Sequence, residues 1–251
     1  MGGTDGARAE PLRAWPGSRP RAILFDLDGT LLDTVGDIRF ALNQALADRA
    51  LAPVGADVVR TLIGRGAPAL IERALAHAGE TATPETQKTV LARFLVHYAE
   101  LQASGGSTAT AYPGAVQTIA QLAAAGFGLG VVTNKSRHLA VAALELAGLA
   151  AIPLVVGGDT CQRRKPHPEP LLYACNALGV SPAEALMVGD SVNDVVAARA
   201  AGIPVVCVPY GYNEGEDPRA LPCDGILERL SDLGDFLLVG HTSTNPSDGT
   251  G

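Results

Sequence analysis

The chain has 251 residues, 47% of them hydrophobic and 18% charged, with a formal net charge of −7 and a sequence pI near 5.2. That is enough apolar material for one large domain, or for two modest ones sharing a cleft, and an acidic balance with no basic run or stripe argues against a nucleic-acid partner. No stretch approaches the roughly 18 consecutive apolar residues of a membrane helix, and Cys161, Cys175, Cys207 and Cys223 form neither a Cys-x-x-Cys pair nor a zinc-spaced set with histidine, so they read as reduced thiols of a soluble, cytoplasmic protein.

Taken in chain order, residues 1–20 are rich in Gly, Arg and Pro and read as a disordered tail, not a signal peptide. The apolar run 22–25 predicts a short buried parallel strand. Residues 35–106 read as helical throughout, with helices predicted over 37–50, 56–62, 68–77 and 84–102. This stretch is too long for one crossover helix and too ordered for a loop. It predicts a small helical cap with hinges near 34–36 and 103–107. From residue 107 onward the pattern alternates. Strands are predicted over 128–132, 152–156, 185–188 and 205–208, and helices over 114–125, 137–147, 168–178 and 194–201. Residues 240–251, rich in Ser, Thr, Gly and Pro, read as a second tail. The fold class expected is α/β: a doubly wound parallel (Rossmann-like) core, 21–34 plus 107–239, with an all-helical cap inserted after the first strand.

In open parallel sheets, reactive groups collect beyond the carboxyl ends of the strands. Asp26 and Asp28 follow the first predicted strand. Residues i and i+2 of an extended chain point the same way, roughly 6.6 Å apart. Two carboxylates so placed repel unless a cation lies between them or one holds a proton. One can then act as nucleophile and metal ligand, the other as acid and base; alternatively they are acidic caps on a solvated strand end. Thr133-Asn134 follows the second strand, and opens either a phosphate cradle or an ordinary helix cap. Lys165, one of only three lysines beside sixteen arginines, sits in a Pro-stiffened loop after the third strand. Lysine there supplies a compact point charge at a constrained loop, or is simply a solvated surface lysine. Asp190 and Asp194 follow the fourth strand, one helical turn apart. Oxygen ligands of this kind suit Mg2+, although Asp194 is also placed as a first-turn acid on the helix dipole.

In this order the segments Asp26-Leu27-Asp28-Gly29-Thr30, Thr133-Asn134, Lys165 and Gly189-Asp190-Ser191-Val192-Asn193-Asp194 resemble the four motifs of the haloacid dehalogenase superfamily, and the helical insert resembles its small cap. The resemblance spans residues 21–238. It implies Asp26 as nucleophile and Asp28 as acid and base. It further implies Mg2+ held by Asp26, the Asp28 carbonyl, Asp190 and Asp194, with phosphate bound by Thr133, Asn134 and Lys165. The second aspartate, Asp28, sets the chain apart from the dehalogenase branch. Lys88, the cap's only lysine, stands in a polar helical context unlike a Schiff-base lysine of the phosphonate hydrolases. Ile63-Gly64-Arg65-Gly66-Ala67, Gly157-Gly158-Asp159-Thr160 with Lys165-Pro166-His167-Pro168, and Tyr210-Gly211-Tyr212-Asn213-Glu214-Gly215 resemble the phosphoglycolate phosphatase family more closely. The implied substrate is 2-phosphoglycolate, with Arg65 reaching its carboxylate when the cap closes. Other small phosphorylated metabolites (sugar phosphates, nucleotides, pyrophosphate) and phosphomutase chemistry remain open at this stage, as does a phospho-receiver, which has about half this length and no helical insert. A monomer and a homodimer are equally compatible with the sequence.

Overall fold

The computed structural model describes residues 19–239, so nearly all of the first predicted tail and the whole of the second lie outside the described residues. The core is a five-stranded parallel sheet in the order β5-β4-β1-β6-β7: β1 (Ala22–Phe25), β4 (Gly128–Val132), β5 (Leu154–Val156), β6 (Ala185–Gly189) and β7 (Val205–Cys207). Alternate residues of β1 explain how it is buried on both faces. Ile23 and Phe25 pack with α5 (Ala115–Ala124), α6 (Arg137–Leu146) and α9 (Leu230–Gly234). Leu24 points the other way, to α7 (Glu169–Leu178) and α8 (Val192–Ala201). Period-2 alternation between two apolar layers is the pattern of a strand with helices on each side.

Between β1 and β4 the chain makes α1 (Val35–Ala47), α2 (Ala56–Leu62), α3 (Ala67–His77) and α4 (Pro84–Ala103). These helices bury their own apolar cluster, in which Leu42, Leu46, Ile71, Leu75 and Tyr98 are almost wholly inaccessible. Burying a Leu or Ile side chain contributes roughly 1.5–3 kcal/mol, so a cluster of this size holds the four helices as a body of their own. Leu139 of α6 and Tyr212 also belong to it, which joins the helical body to the core.

The sequence patterns placed the five sheet strands to within two residues at either end. They missed a two-stranded antiparallel ribbon, β2 (Leu32–Asp33) with β3 (Thr110–Ala111), through which the chain enters and leaves the helical body. Two residues per strand carry no periodicity to read. Beside the ribbon, Asp37 is fully buried and accepts hydrogen bonds from the Ser107 hydroxyl and from the backbone N–H and hydroxyl of Thr108. One carboxylate thus ties the outgoing chain to the returning one. Replacing Asp37 with Ala removes three hydrogen bonds to a charged acceptor, each worth about 1.5–3 kcal/mol when buried and less here, where Thr108 is exposed. Urea unfolding of Asp37→Ala is expected to show a midpoint lowered by the equivalent of about 3 kcal/mol.

Candidate active site

Strand order places the site. The chain winds from β1 to β4 and β5 on one side, then crosses to β6 and β7 on the other. The crevice at that reversal lies beyond the carboxyl end of β1, flanked by the ends of β4 and β6. Phe25 is in register with both Val131 and Val188, so Asp26, one residue on, emerges between the strand ends that carry Thr133 and Asp190, each two residues on. The Asp26 N–H bonds to the Val188 carbonyl at 2.9 Å and fixes that alignment.

Asp26, Asp190 and Asp194 have carboxylate oxygens that all lie within 4.8 Å of one another. Lys165, buried to 2% exposure, reaches Asp194 Oδ1 at 2.6 Å and Asp26 Oδ1 at 2.9 Å. Its contact with Asp26 is an ion pair without hydrogen-bond alignment, and Asp26 Oδ1 has no other partner. Thr30 Oγ1 donates to Asp190 Oδ1 at 2.8 Å and the Tyr212 N–H donates to Oδ2 at 2.7 Å. Asp194 Oδ2 accepts from the Asp190 N–H and from the N–H and hydroxyl of Ser191. Asp194 therefore stands as the first-turn acid: Oδ2 caps α8 and Oδ1 holds Lys165.

Gly29 and Gly211 let the chain close around Asp190. A Cβ on Gly29, which has φ +91, would lie 2.4 Å from Asp190 Oδ2, and one on Gly211 would lie 2.2 Å from Asp190 Cβ. No side chain fits at either place.

Asp28 stands apart from the acidic cluster. Thr34 Oγ1 donates to its Oδ1 at 2.7 Å, and Lys135 Nζ lies 3.0 Å from Oδ1 and 3.3 Å from Oδ2. Sequence reasoning overlooked Lys135. It directly follows Thr133-Asn134, and as one of three lysines it was open to the same argument as Lys165. Asn134 turns its Nδ2 to the carbonyls of Gly64 and Lys165, so its amide group joins the helical body to the Lys165 loop. Thr133 Oγ1 accepts from the Lys135 N–H at 3.2 Å.

Arg65 is placed differently from expectation. Its guanidinium makes a two-pronged bond with Glu214, Nε to Oε1 at 2.6 Å and Nη2 to Oε2 at 3.0 Å, and Arg73 approaches the same carboxylate at 3.4 Å. This pairing makes a clasp between the helical body and the Tyr210–Gly215 loop. Glu214 holds a left-handed backbone (φ 54) to make it. In the same loop the Tyr212 hydroxyl accepts from the N–H groups of Thr34 and Val35 and donates to Asp33. A cavity of about 310 Å³ lies between helical body and sheet. Asp26, Asp28, Thr133, Asn134 and Lys135 line it on the sheet side, with Leu91, Phe94 and Tyr98 opposite.

A sequence model of the haloacid dehalogenase-like hydrolases matches residues 20–202. The chain belongs to this family. It is 44% identical over 223 residues to a phosphoglycolate phosphatase of Rhodospirillum rubrum, covering 87% of this chain and 91% of the relative. It is also 44% identical to a plasmid-borne phosphoglycolate phosphatase of Cupriavidus necator, with coverages of 84% and 90%. Among solved structures, a predicted phosphoglycolate phosphatase from Haemophilus somnus 129PT superposes with a TM-score of 0.78 at 34% identity, covering 85% of this chain and 96% of that one. CbbY from Rhodobacter sphaeroides in complex with phosphate gives 0.73 at 27%, covering 86% and 96%. Membership of a hydrolase family over this span sets the phospho-receiver reading aside. Among the described residues no helix is long and apolar enough to cross a membrane.

The acidic cluster has a pH consequence. Burial pushes the Asp26 carboxyl up to about 7; Lys165 opposes the shift, and Asp194 and Asp28 reinforce it. Burial also raises Asp190 well above its usual range, with Asp194 and Asp26 adding to it. The folded state therefore holds protons that the unfolded chain releases near pH 4, and stability falls as pH rises from about 4 through 7. Thermal unfolding of protein stripped of divalent cation is expected to show this decline, and added Mg2+ is expected to offset it at pH 7 because ligation removes the cause.

Proposed function

We propose that the protein is a Mg2+-dependent phosphatase that hydrolyses 2-phosphoglycolate to glycolate and inorganic phosphate through an aspartyl-phosphate on Asp26. The observation that carries this reading is the convergence of Asp26 and Asp28 on one cavity, with a three-carboxylate cluster that includes Asp26. The names carried by the relatives at 44% identity support the substrate.

The donor set fits a hard cation. All three clustered side chains offer oxygen, and four carboxylates (Asp26, Asp28, Asp190, Asp194) face only two ammonium groups (Lys135, Lys165) at the site. Mg2+ would be held by Asp26, Asp190 and the backbone carbonyl of Asp28, with Asp194 in support. When bound it supplies positive charge against the phosphoryl oxygens.

The chain's own groups divide the rest. The Asp26 carboxylate attacks phosphorus as the bond to the ester oxygen breaks. Protonated Asp28 gives its proton to that leaving oxygen, so glycolate departs neutral at its hydroxyl. Asp28, now a carboxylate, takes a proton from water. The water oxygen bonds to phosphorus, the Asp26–phosphorus linkage breaks, and the free Asp26 carboxylate is restored. Lys165, the Thr133 hydroxyl and the Asn134 backbone N–H bind the non-bridging oxygens, the Asn134 side-chain amide being taken by the Gly64 and Lys165 carbonyls. Phosphoryl transfer needs mainly positioning and charge stabilisation, which this set provides. Arg65 contributes by fastening the cap through Glu214, an action that serves every ester alike.

Assay of a panel of phosphate esters with Mg2+ present is expected to give inorganic phosphate with the highest kcat/KM for 2-phosphoglycolate. A better sugar phosphate, nucleotide or pyrophosphate in that panel refutes the substrate. Asp26→Asn is expected to lose turnover of every ester by at least about 10³-fold. Arg65→Ala is expected to raise KM for 2-phosphoglycolate and for an uncharged aryl phosphate by the same factor.

A further inference from the structure

Resting on the reading of the substrate as 2-phosphoglycolate, one question is which group meets the carboxylate next to the phosphate. Among the described residues, Lys135 and Arg164 are the Lys or Arg side chains that line the cavity, beside His138, and Arg65 stands next to it. Arg65 is held by Glu214 and does not line it. Arg164 lines it but is an exposed side chain at the rim. Lys135 lines it with its side chain only 7% exposed.

A second observation points to the same corner. The Tyr98 hydroxyl and the Ser136 hydroxyl are both buried with no hydrogen-bond partner, and both residues line the cavity. Tyr98 comes from α4, and its ring lies under Lys135 Nζ, 4.4 Å from the centroid. Ser136 follows Lys135 in the chain. Buried hydroxyls left unpaired are uncommon and mark places where another group is expected. Two free hydroxyl donors beside a buried ammonium group match the needs of a small carboxylate.

We propose that Lys135, Tyr98 and Ser136 form the carboxylate-binding subsite, and that Lys135 exchanges its pairing with Asp28 for the incoming carboxylate. Substrate arrival then frees Asp28 from one of its two donors, leaving Thr34, at the moment Asp28 is needed beside the leaving oxygen. A substrate without the carboxylate leaves Lys135 on Asp28. Selectivity therefore enters at the acid–base residue as well as at binding, and Tyr98 makes it depend on the closed cap.

The test compares 2-phosphoglycolate with its amide, 2-phosphoglycolamide, in the full-length protein with Mg2+. Wild-type protein is expected to prefer the acid. Lys135→Met is expected to reduce that preference by about tenfold to hundredfold, and Tyr98→Phe by about tenfold or less, as for loss of hydrogen bonds to a charged group. Tyr98→Phe keeps the ring and so keeps the packing, which guards against a folding defect in the lysine variant. Retention of the wild-type ratio in both variants overturns the subsite, and so does its loss in Arg164→Gln with retention in Lys135→Met. If wild-type protein shows no preference for the acid, the reading of the substrate fails first, and the two failures are told apart.

Discussion

Four carboxylates and two ammonium groups occupy one crevice that is largely closed to water, and the rest of the molecule is arranged to keep them there. Like charges at such distances repel strongly where the dielectric is low. Burial alone drives Asp26 and Asp190 toward their protonated forms. Lys165 offsets part of this by bridging Asp26 and Asp194, and Lys135 neutralises Asp28 separately. A divalent cation in the Asp26–Asp190–Asp194 cluster would complete the balance. Perturbed carboxyls gathered in a crevice in this way mark a candidate functional centre.

The sheet bears this strain because its strands leave no freedom of register. Asp26, Thr133 and Asp190 are each one or two residues beyond paired positions of neighbouring strands. A slip of one residue would turn these side chains to the other face. The apolar layers on both sides of β1 forbid such a slip. Packing energy is in this way converted into charge placement.

The Tyr210–Gly215 loop links the remaining parts. Its Tyr212 N–H bonds to Asp190, its Tyr212 hydroxyl holds the N–H groups where the chain enters the helical body, and its Glu214 clasps Arg65 and Arg73. One short segment therefore touches the acidic cluster, the entry to the helical body and the Arg65 loop. The helical body and the acidic cluster are thus connected through contacts that run over a few residues.

The sequence by itself determined the sheet strands, the helical insert and the four chemistry-bearing strand ends, because each is written locally. Apolar runs of four or five residues mark buried strands, and polar residues directly after them mark the carboxyl edge. It could not reveal the β2–β3 ribbon, whose strands are two residues long, nor the carboxylate of Asp37 that fastens it. Pairings across large sequence separations were equally hidden. Arg65 meets Glu214 across 149 positions and Lys135 meets Asp28 across 107. Nothing local to a lone arginine between glycines says which anion it serves; only folding brought Glu214 within reach. The tertiary structure decided which cation faces the cavity, because burial and competition between partners are properties of the packed chain and not of any segment.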